Sequence, residues 1–319
     1  MKYFFNNQIV NIVKSNTKPD DNLVDVVMNT LSVGKEAAYR RIRGEVPFTF
    51  SEIAKLASVF RFSLDSIIAV SFPELAVVNT RFFNTNQMYK DYKQTVESFY
   101  TLFKEMNRSS NSKGCTASNV IPFTMYGKYE NLSKFKLYRW MHQMDISFSS
   151  TSFSEMKMPD EVWTLHQDML KEADYLEDFS YVLDRNIFST FVNDINHFIQ
   201  LGFISTEDRL LLKNELLDLL SMFERVVKEG GISPQNKVSV YISSIDFDSS
   251  YSYFETEDMS VSSMRVYAVN TLTTQDKNFF DTQKKWIESL KRYSVLISGC
   301  GEMERVKFIA KQKEIINLL

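Results

Sequence analysis

KEAAYRRIRGE, residues 35–45, gathers Lys35, Arg40, Arg41 and Arg43 on one short predicted helix. Positive charge concentrated on one exposed helix suits a phosphate backbone and the base edges beside it. Gly44 and Pro47 stop that helix, the first by permitting a left-handed residue, the second by lacking an N–H. Upstream, Leu31-Ser32-Val33-Gly34 interrupts two segments whose apolar residues recur at helical spacing: Leu23, Val27 and Leu31 before it, Ala38 and Ile42 after it. With Ala38 and Ile42 packed inward, Arg40 lies well round the helix and must face water or a ligand, which makes it the leading candidate contact. The spacing leaves open whether Tyr39 joins the core with Ile42 or Arg41 lies nearer the buried side.

Working outward, the chain reads as five short helices: Phe4 to Lys14, Asn22 to Leu31, Lys35 to Arg43, Thr49 to Phe60 and Ser63 to Ala69. Thr49 or Ser51 is placed to cap the fourth, and its Ile53, Leu56, Ala57 and Phe60 complete a small core. This arrangement resembles the Cro/repressor-like (XRE-type) helix-turn-helix family. The resemblance lies in the Leu-Ser-Val-Gly turn, in Tyr39-Arg40-Arg41-Ile42-Arg43-Gly44-Glu45, and in Phe50-Ser51-Glu52-Ile53-Ala54-Lys55-Leu56-Ala57 followed by Phe62-Ser63-Leu64-Asp65-Ser66-Ile67-Ile68. It covers about the first seventy residues. It implies that the second helix of the pair lies in the major groove of double-stranded DNA, with Lys35, Glu36, Ala37, Arg40 and Arg41 touching bases and phosphates and Arg43 on a phosphate. Tyr39 belongs to the same candidate set, subject to the helix phase. The lead-in Asp20-Asp21 departs from the family's usual Ser or Thr cap and Gln.

Charge is divided along the chain. Residues 1–70 hold nine Lys and Arg against seven Asp and Glu, whereas the whole chain carries −3, so an acidic body follows a mildly basic head and leaves DNA contact to the head. Two cysteines, Cys115 and Cys300, without CxxC spacing argue against a disulfide framework or a zinc ribbon and for a reducing cytoplasm. The N-terminus lacks an apolar signal region, and no run reaches the roughly eighteen apolar residues of a membrane span. A soluble cytoplasmic protein without a membrane partner is expected.

The expected fold class is α+β and multidomain: an all-α helix-turn-helix domain over 1–72, a linker over 73–86, and a larger, mostly helical α+β domain over 87–319 carrying a small antiparallel sheet. Helices are expected at Gln87 to Asn107, Leu132 to Met144, Pro159 to Leu176, Arg185 to Leu201, Glu207 to Lys228, Gln275 to Tyr293 and Glu302 to Leu319. Strands are expected at Lys237 to Phe247, Tyr251 to Glu255, Ser263 to Asn270 and Val295 to Ser298. Asn107 to Gly114 and Ser147 to Ser154 read as polar loops. On the first long helix Met88, Tyr92, Val96, Phe99, Phe103 and Met106 form a heptad-like stripe, which either packs onto its own domain or forms a dimer seam.

No catalytic set emerges. His142, His166 and His197 are far apart and without metal-site spacing, and no glycine-rich phosphate motif is present. Asp246 and Asp248 with Glu255, Glu257 and Asp258 read as solvated hairpin charge, and Ser298-Gly299-Cys300-Gly301-Glu302 as a tight turn. The expectation is a transcriptional regulator, not an enzyme, with no cofactor. Its partners would be double-stranded DNA, a second copy of the chain and a small-molecule effector sensed by the body. The alternative is a protein-interaction module that uses the same head as a docking surface.

Overall fold

The computed structural model describes residues 4–17, 21–60, 62–69, 75–80, 87–232 and 236–319. The chain divides into two compact units, Met1–Val77 and Val78–Leu319.

The described residues of the first unit form five helices: α1 (Phe4–Ser15), α2 (Leu23–Leu31), α3 (Lys35–Ile42), α4 (Phe50–Phe60) and α5 (Leu64–Ala69). Their core takes Val27, Leu31, Ala38 and Leu56 from the residues that helical spacing selects, with Ile42, Ile53 and Phe60 packed against it. Val24 is buried where the spacing named Leu23, which is only partly buried, and Ile9 and Val13 of α1 join the core. Asn22 caps α2 by accepting from the Val24 N–H, and α2 ends on Ser32 in the left-handed region, φ 58°. Gly44 takes the same conformation, φ 74°, after α3. Such residues turn the chain while satisfying terminal carbonyls. Asn6, buried on α1, donates to the Arg41 carbonyl (2.9 Å) and accepts from the Phe48 N–H (3.2 Å), so one amide fixes the end of α3 and the segment leading to α4. Asp20 and most of the expected linker, Pro73 included, lie outside the described residues.

The second unit corrects the expected sheet. A single mixed sheet of seven strands runs β6-β5-β4-β1-β2-β3-β7, where β1 is Lys113–Ser118, β2 Asp178–Leu183, β3 Lys237–Ser243, β4 Tyr251–Glu255, β5 Ser260–Val266, β6 Asn270–Thr274 and β7 Ser294–Leu296. β1, β2 and β3 are parallel neighbours, and the remaining strands pair antiparallel. Two strands that the sequence does not announce, β1 and β2, carry the centre. Parallel pairing requires long crossovers, and the helices supply them. Between β1 and β2 run α7 (Phe123–Tyr126), α8 (Glu130–Met144) and α9 (Asp160–Asp174); between β2 and β3 run α10 (Ser189–Gln200) and α11 (Thr206–Glu229). The long helix α6 (Met88–Arg108) precedes β1, while α12 (Lys277–Arg292) and α13 (Glu302–Ile316) flank β7.

The two faces of the sheet follow the period of two. Cys115, Ala117, Val182 and Tyr253 pack under α12 with Phe280, Ile287 and Leu290. The alternate residues, Phe179 and Phe254 among them, join the large core with α6 and the crossover helices. The stripe on α6 is used inside this unit: Met88, Tyr92, Val96, Phe103 and Met106 are buried and Phe99 packs against the same core. It is therefore not left exposed as a dimer seam. Residues 78–80, expected to be linker, are tied to the sheet, because Asn79 and Thr273 of β6 exchange both backbone hydrogen bonds (2.6 and 2.9 Å). Among the described residues no helix is long and apolar enough to cross a membrane.

Candidate nucleic-acid interface and internal cavity

The structure resolves the phase of α3. Ala38 is fully buried and Ile42 packs against the same core, while Lys35, Glu36, Tyr39, Arg40 and Arg43 are exposed and Ala37 is half-buried. Arg41 is the residue nearer the core. Its Nη2 lies 2.7 Å from Glu52 Oε1, with the two side chains only 16% and 14% exposed, its Nε donates to Glu52 Oε2 at 3.0 Å and its Nη1 donates to the Ala37 carbonyl at 3.2 Å. Glu52 also accepts from the Thr49 N–H (2.8 Å), and the Thr49 hydroxyl accepts from the Glu52 N–H (3.3 Å). That reciprocal pair is a capping box, and it identifies Thr49 rather than Ser51 as the cap of α4. Burial disfavours the charged Glu52 carboxylate, but the Arg41 and Thr49 hydrogen bonds outweigh it and hold the group below its usual range. Arg41 thus clamps α3 to the start of α4.

What remains outward is Lys35 at the start of α3 and Arg40 and Arg43 at its end. Arg40 Nε stands 3.7 Å and Arg43 Nη1 3.3 Å from the Glu45 carboxylate, with all three side chains about half exposed. The Arg43 guanidinium lies 5.8 Å from the Tyr39 ring centroid. Exposed pairs of this kind hold together by at most about 1 kcal/mol, so a phosphate can replace Glu45 at little expense. α3 starts at Gly34 with no side-chain cap, which leaves its first N–H groups for an oxyanion or water. Of the candidate contacts on α3, the structure leaves Lys35, Glu36, Tyr39, Arg40 and Arg43 outward and removes Arg41 from that set.

The body holds a feature that sequence spacing did not reveal: a cavity of about 750 Å³ between the sheet, α6 and α8. Phe99, Phe103 and Phe254 form one apolar wall, their rings 5.6–6.5 Å apart. Lys136 and Arg139 of α8 and Arg265 of β5 line it as well, and no carboxylate does among the described lining residues. Asp194 of α10 lies behind the lining, 3.1 Å from Arg139 Nη1 and 3.7 Å from Lys136 Nζ. Burial pushes the Lys136 ammonium down to about 7, with Arg139 and Arg265 adding to the effect and Asp194 opposing it. Arg265 is likewise lowered, first by burial.

The other candidates separate. Asp246 pairs with Arg185, Glu255 with Lys284, and Glu257 accepts from Asn111, so the hairpin carboxylates do not converge. No cluster of metal-ligating side chains occurs among the described residues. Gly299 and Gly301 take positive φ, 65° and 68°, and a Cβ on Gly301 would stand 2.4 Å from the Leu296 carbonyl oxygen, which makes this turn a packing device. His166 is fully buried, with neither ring nitrogen hydrogen-bonded, among Tyr92, Phe123 and Trp163. Comparison of the chain with protein-family models, curated proteins and solved structures finds no match in any of the three.

Proposed function

We propose that the chain is a cytoplasmic DNA-binding transcriptional regulator whose head reads duplex DNA through α3 and whose α+β body senses a small molecule. The observation that carries the DNA reading is the division of labour on α3: Ala38, Ile42 and Arg41 hold the helix in place, while Lys35, Arg40 and Arg43 stand exposed on one short element. Such cations make charge-assisted bonds to phosphates, and an arginine can span guanine O6 and N7. Glu36, exposed near the helix start, can accept from a cytosine amino group. The helix-turn-helix resemblance supports the same placement, and the family's paired half-sites make a homodimer part of the proposal.

The test is selection of duplexes from a random-sequence pool by the full-length chain, beside a Lys35→Ala, Arg40→Ala variant. Enrichment of one motif by the unaltered chain alone supports the reading, and a repeated half-site supports the dimer. No enrichment by either chain rejects it.

A second reading, a protein-docking head, is favoured by Phe50 and Val59 of α4, which are 77% and 59% exposed. It predicts a partner whose binding survives Arg40→Glu and fails on Phe50→Ser.

A further inference from the structure

The cavity in the body joins two chemistries. One side is aromatic, with Tyr92, Phe99, Phe103 and Trp140 from two helices facing Phe254 of the sheet. The other carries Lys136, Arg139 and Arg265 beside a row of hydroxyls, in which Ser118 bonds Ser250 (2.8 Å) and Thr116 bonds Ser252 (2.9 Å). Arg265 donates a long bond to Asn119 Oδ1, 3.4 Å, and has no carboxylate partner among the described residues. We propose that this cavity binds one small organic anion: an apolar, ring-bearing body against the aromatic wall and a carboxylate or phosphate between Arg139, Arg265 and Lys136.

Size, charge and access all support it. The volume of about 750 Å³ falls within the few hundred to 1,000 Å³ or so of pockets that enclose small ligands, and a wall of aromatics with a few convergent polar groups is the usual composition. A duplex is too wide for a cavity of about 750 Å³ whose walls include the buried Tyr92, Phe103 and Trp140. Arg139 and Arg265 against the single carboxylate of Asp194 leave an excess of positive charge, to which Lys136 adds when protonated, and buried charges of one sign are costly unless a counter-charge is supplied. Lys136 and Arg139 are 11% and 25% exposed, and both line the cavity. Tyr267 and Ala268, in the tight turn that joins β5 to β6, also line the cavity.

This assignment names the ligand class of the sensing body, and it rests on the regulatory reading above for what binding accomplishes, not for binding itself. The test therefore omits DNA. The full-length chain at neutral pH is titrated with anilinonaphthalene sulfonate, an aromatic anion whose fluorescence rises in apolar surroundings, and with phenylnaphthylamine, which has the same rings and no sulfonate. Saturable one-to-one binding of the anion is expected. Arg139→Met with Arg265→Met should weaken it by about tenfold or more while leaving the neutral probe within about threefold.

Displacement by naphthoate, naphthyl phosphate and naphthol then decides the case on the unaltered chain, even if the variant does not fold. Either anion should compete at least about tenfold better than naphthol, and the stronger of the two identifies the headgroup. Equal displacement by naphthol, or anion binding unchanged in a folded double variant, overturns the proposal. A chain that prefers the anions but selects no duplex retains this site and loses the DNA reading; the reverse result retains the DNA reading and loses this site.

Discussion

Both units carry clustered cations, and they aim them in opposite directions. On α3 Lys35, Arg40 and Arg43 stand in water, with Glu45 as an easily displaced neighbour. In the body Lys136, Arg139 and Arg265 turn into a cavity with one carboxylate behind them. Outward charge is screened within about 10 Å and suits a large polyanion met from solution. Inward charge acts in a low dielectric, where each unit is worth more and one small counter-anion makes a large difference. The same residue types therefore favour different counter-charges in the two units: a duplex on the reading proposed for the head, and a small anion on that proposed for the body.

The low dielectric of the body can be tested by acid. Burial drives His166 down to about 4 from its ordinary 6.5, so the unfolded chain takes up a proton first as pH falls. Stability from this residue is intact above about 6.5, is lost progressively down to about 4, and amounts to roughly 3 kcal/mol. Denaturant unfolding at pH 7.5 and pH 4 should show the unaltered chain losing about that much more than His166→Phe. Equal losses in the two would mean that the interior around Tyr92 and Phe123 admits water.

In the head, the contrast between Arg41 and Arg40 is the next largest effect. Arg41→Ala strands a largely buried Glu52 and should destabilise the head by about 2–3 kcal/mol, somewhat below the range for fully buried pairs, as read by thermal unfolding. Arg40→Ala should leave unfolding within about 0.5 kcal/mol and weaken duplex binding by about 1–3 kcal/mol if it reads a base. The reverse pattern, with Arg41→Ala stable and defective only in DNA binding, would make Arg41 the reader and break the division between clamp and contact.

How much of this was legible in the sequence depends on the distance over which residues cooperate. The head is local: each helix buries a stripe at spacing three or four, so its five helices and most of its exposed cations follow from periodicity. Arg41 escaped because its partner Glu52 lies on the next helix and spacing within α3 does not include it. The sheet is non-local. Its central strand β1 reads Lys-Gly-Cys-Thr-Ala-Ser, small and polar enough to pass for the end of a loop. It is a strand because a parallel and an antiparallel neighbour claim both its edges, and Gly114 is required because a Cβ there would stand 2.4 Å from the Phe179 ring. The cavity is less legible still, since Lys136 and Arg139 look like the solvated face of α8 until β5 brings Arg265 opposite them.

The smallest expected effect concerns how the two cation clusters communicate. The chain leaves the head through residues 78–80, which are tied to β6 by the Asn79–Thr273 backbone pair and by Asn270 Nδ2 donating to Thr80 Oγ1 at 3.3 Å. β6 also contributes Thr271 to the cavity lining. β6 thus lies between the cavity and residues 78–80, so an anion bound as proposed would have one strand between itself and that segment. Asn79→Pro removes the N–H that bonds the Thr273 carbonyl at 2.6 Å, and the loss of one net hydrogen bond at an exposed edge should lower stability by about 1 kcal/mol. If β6 transmits occupancy, a saturating anion should shift duplex affinity of the unaltered chain by about fivefold or more, the low end of measured couplings. Asn79→Pro should abolish that shift while each binding event measured alone persists. A shift that survives the substitution would place the coupling elsewhere and leave the edge pair a structural contact.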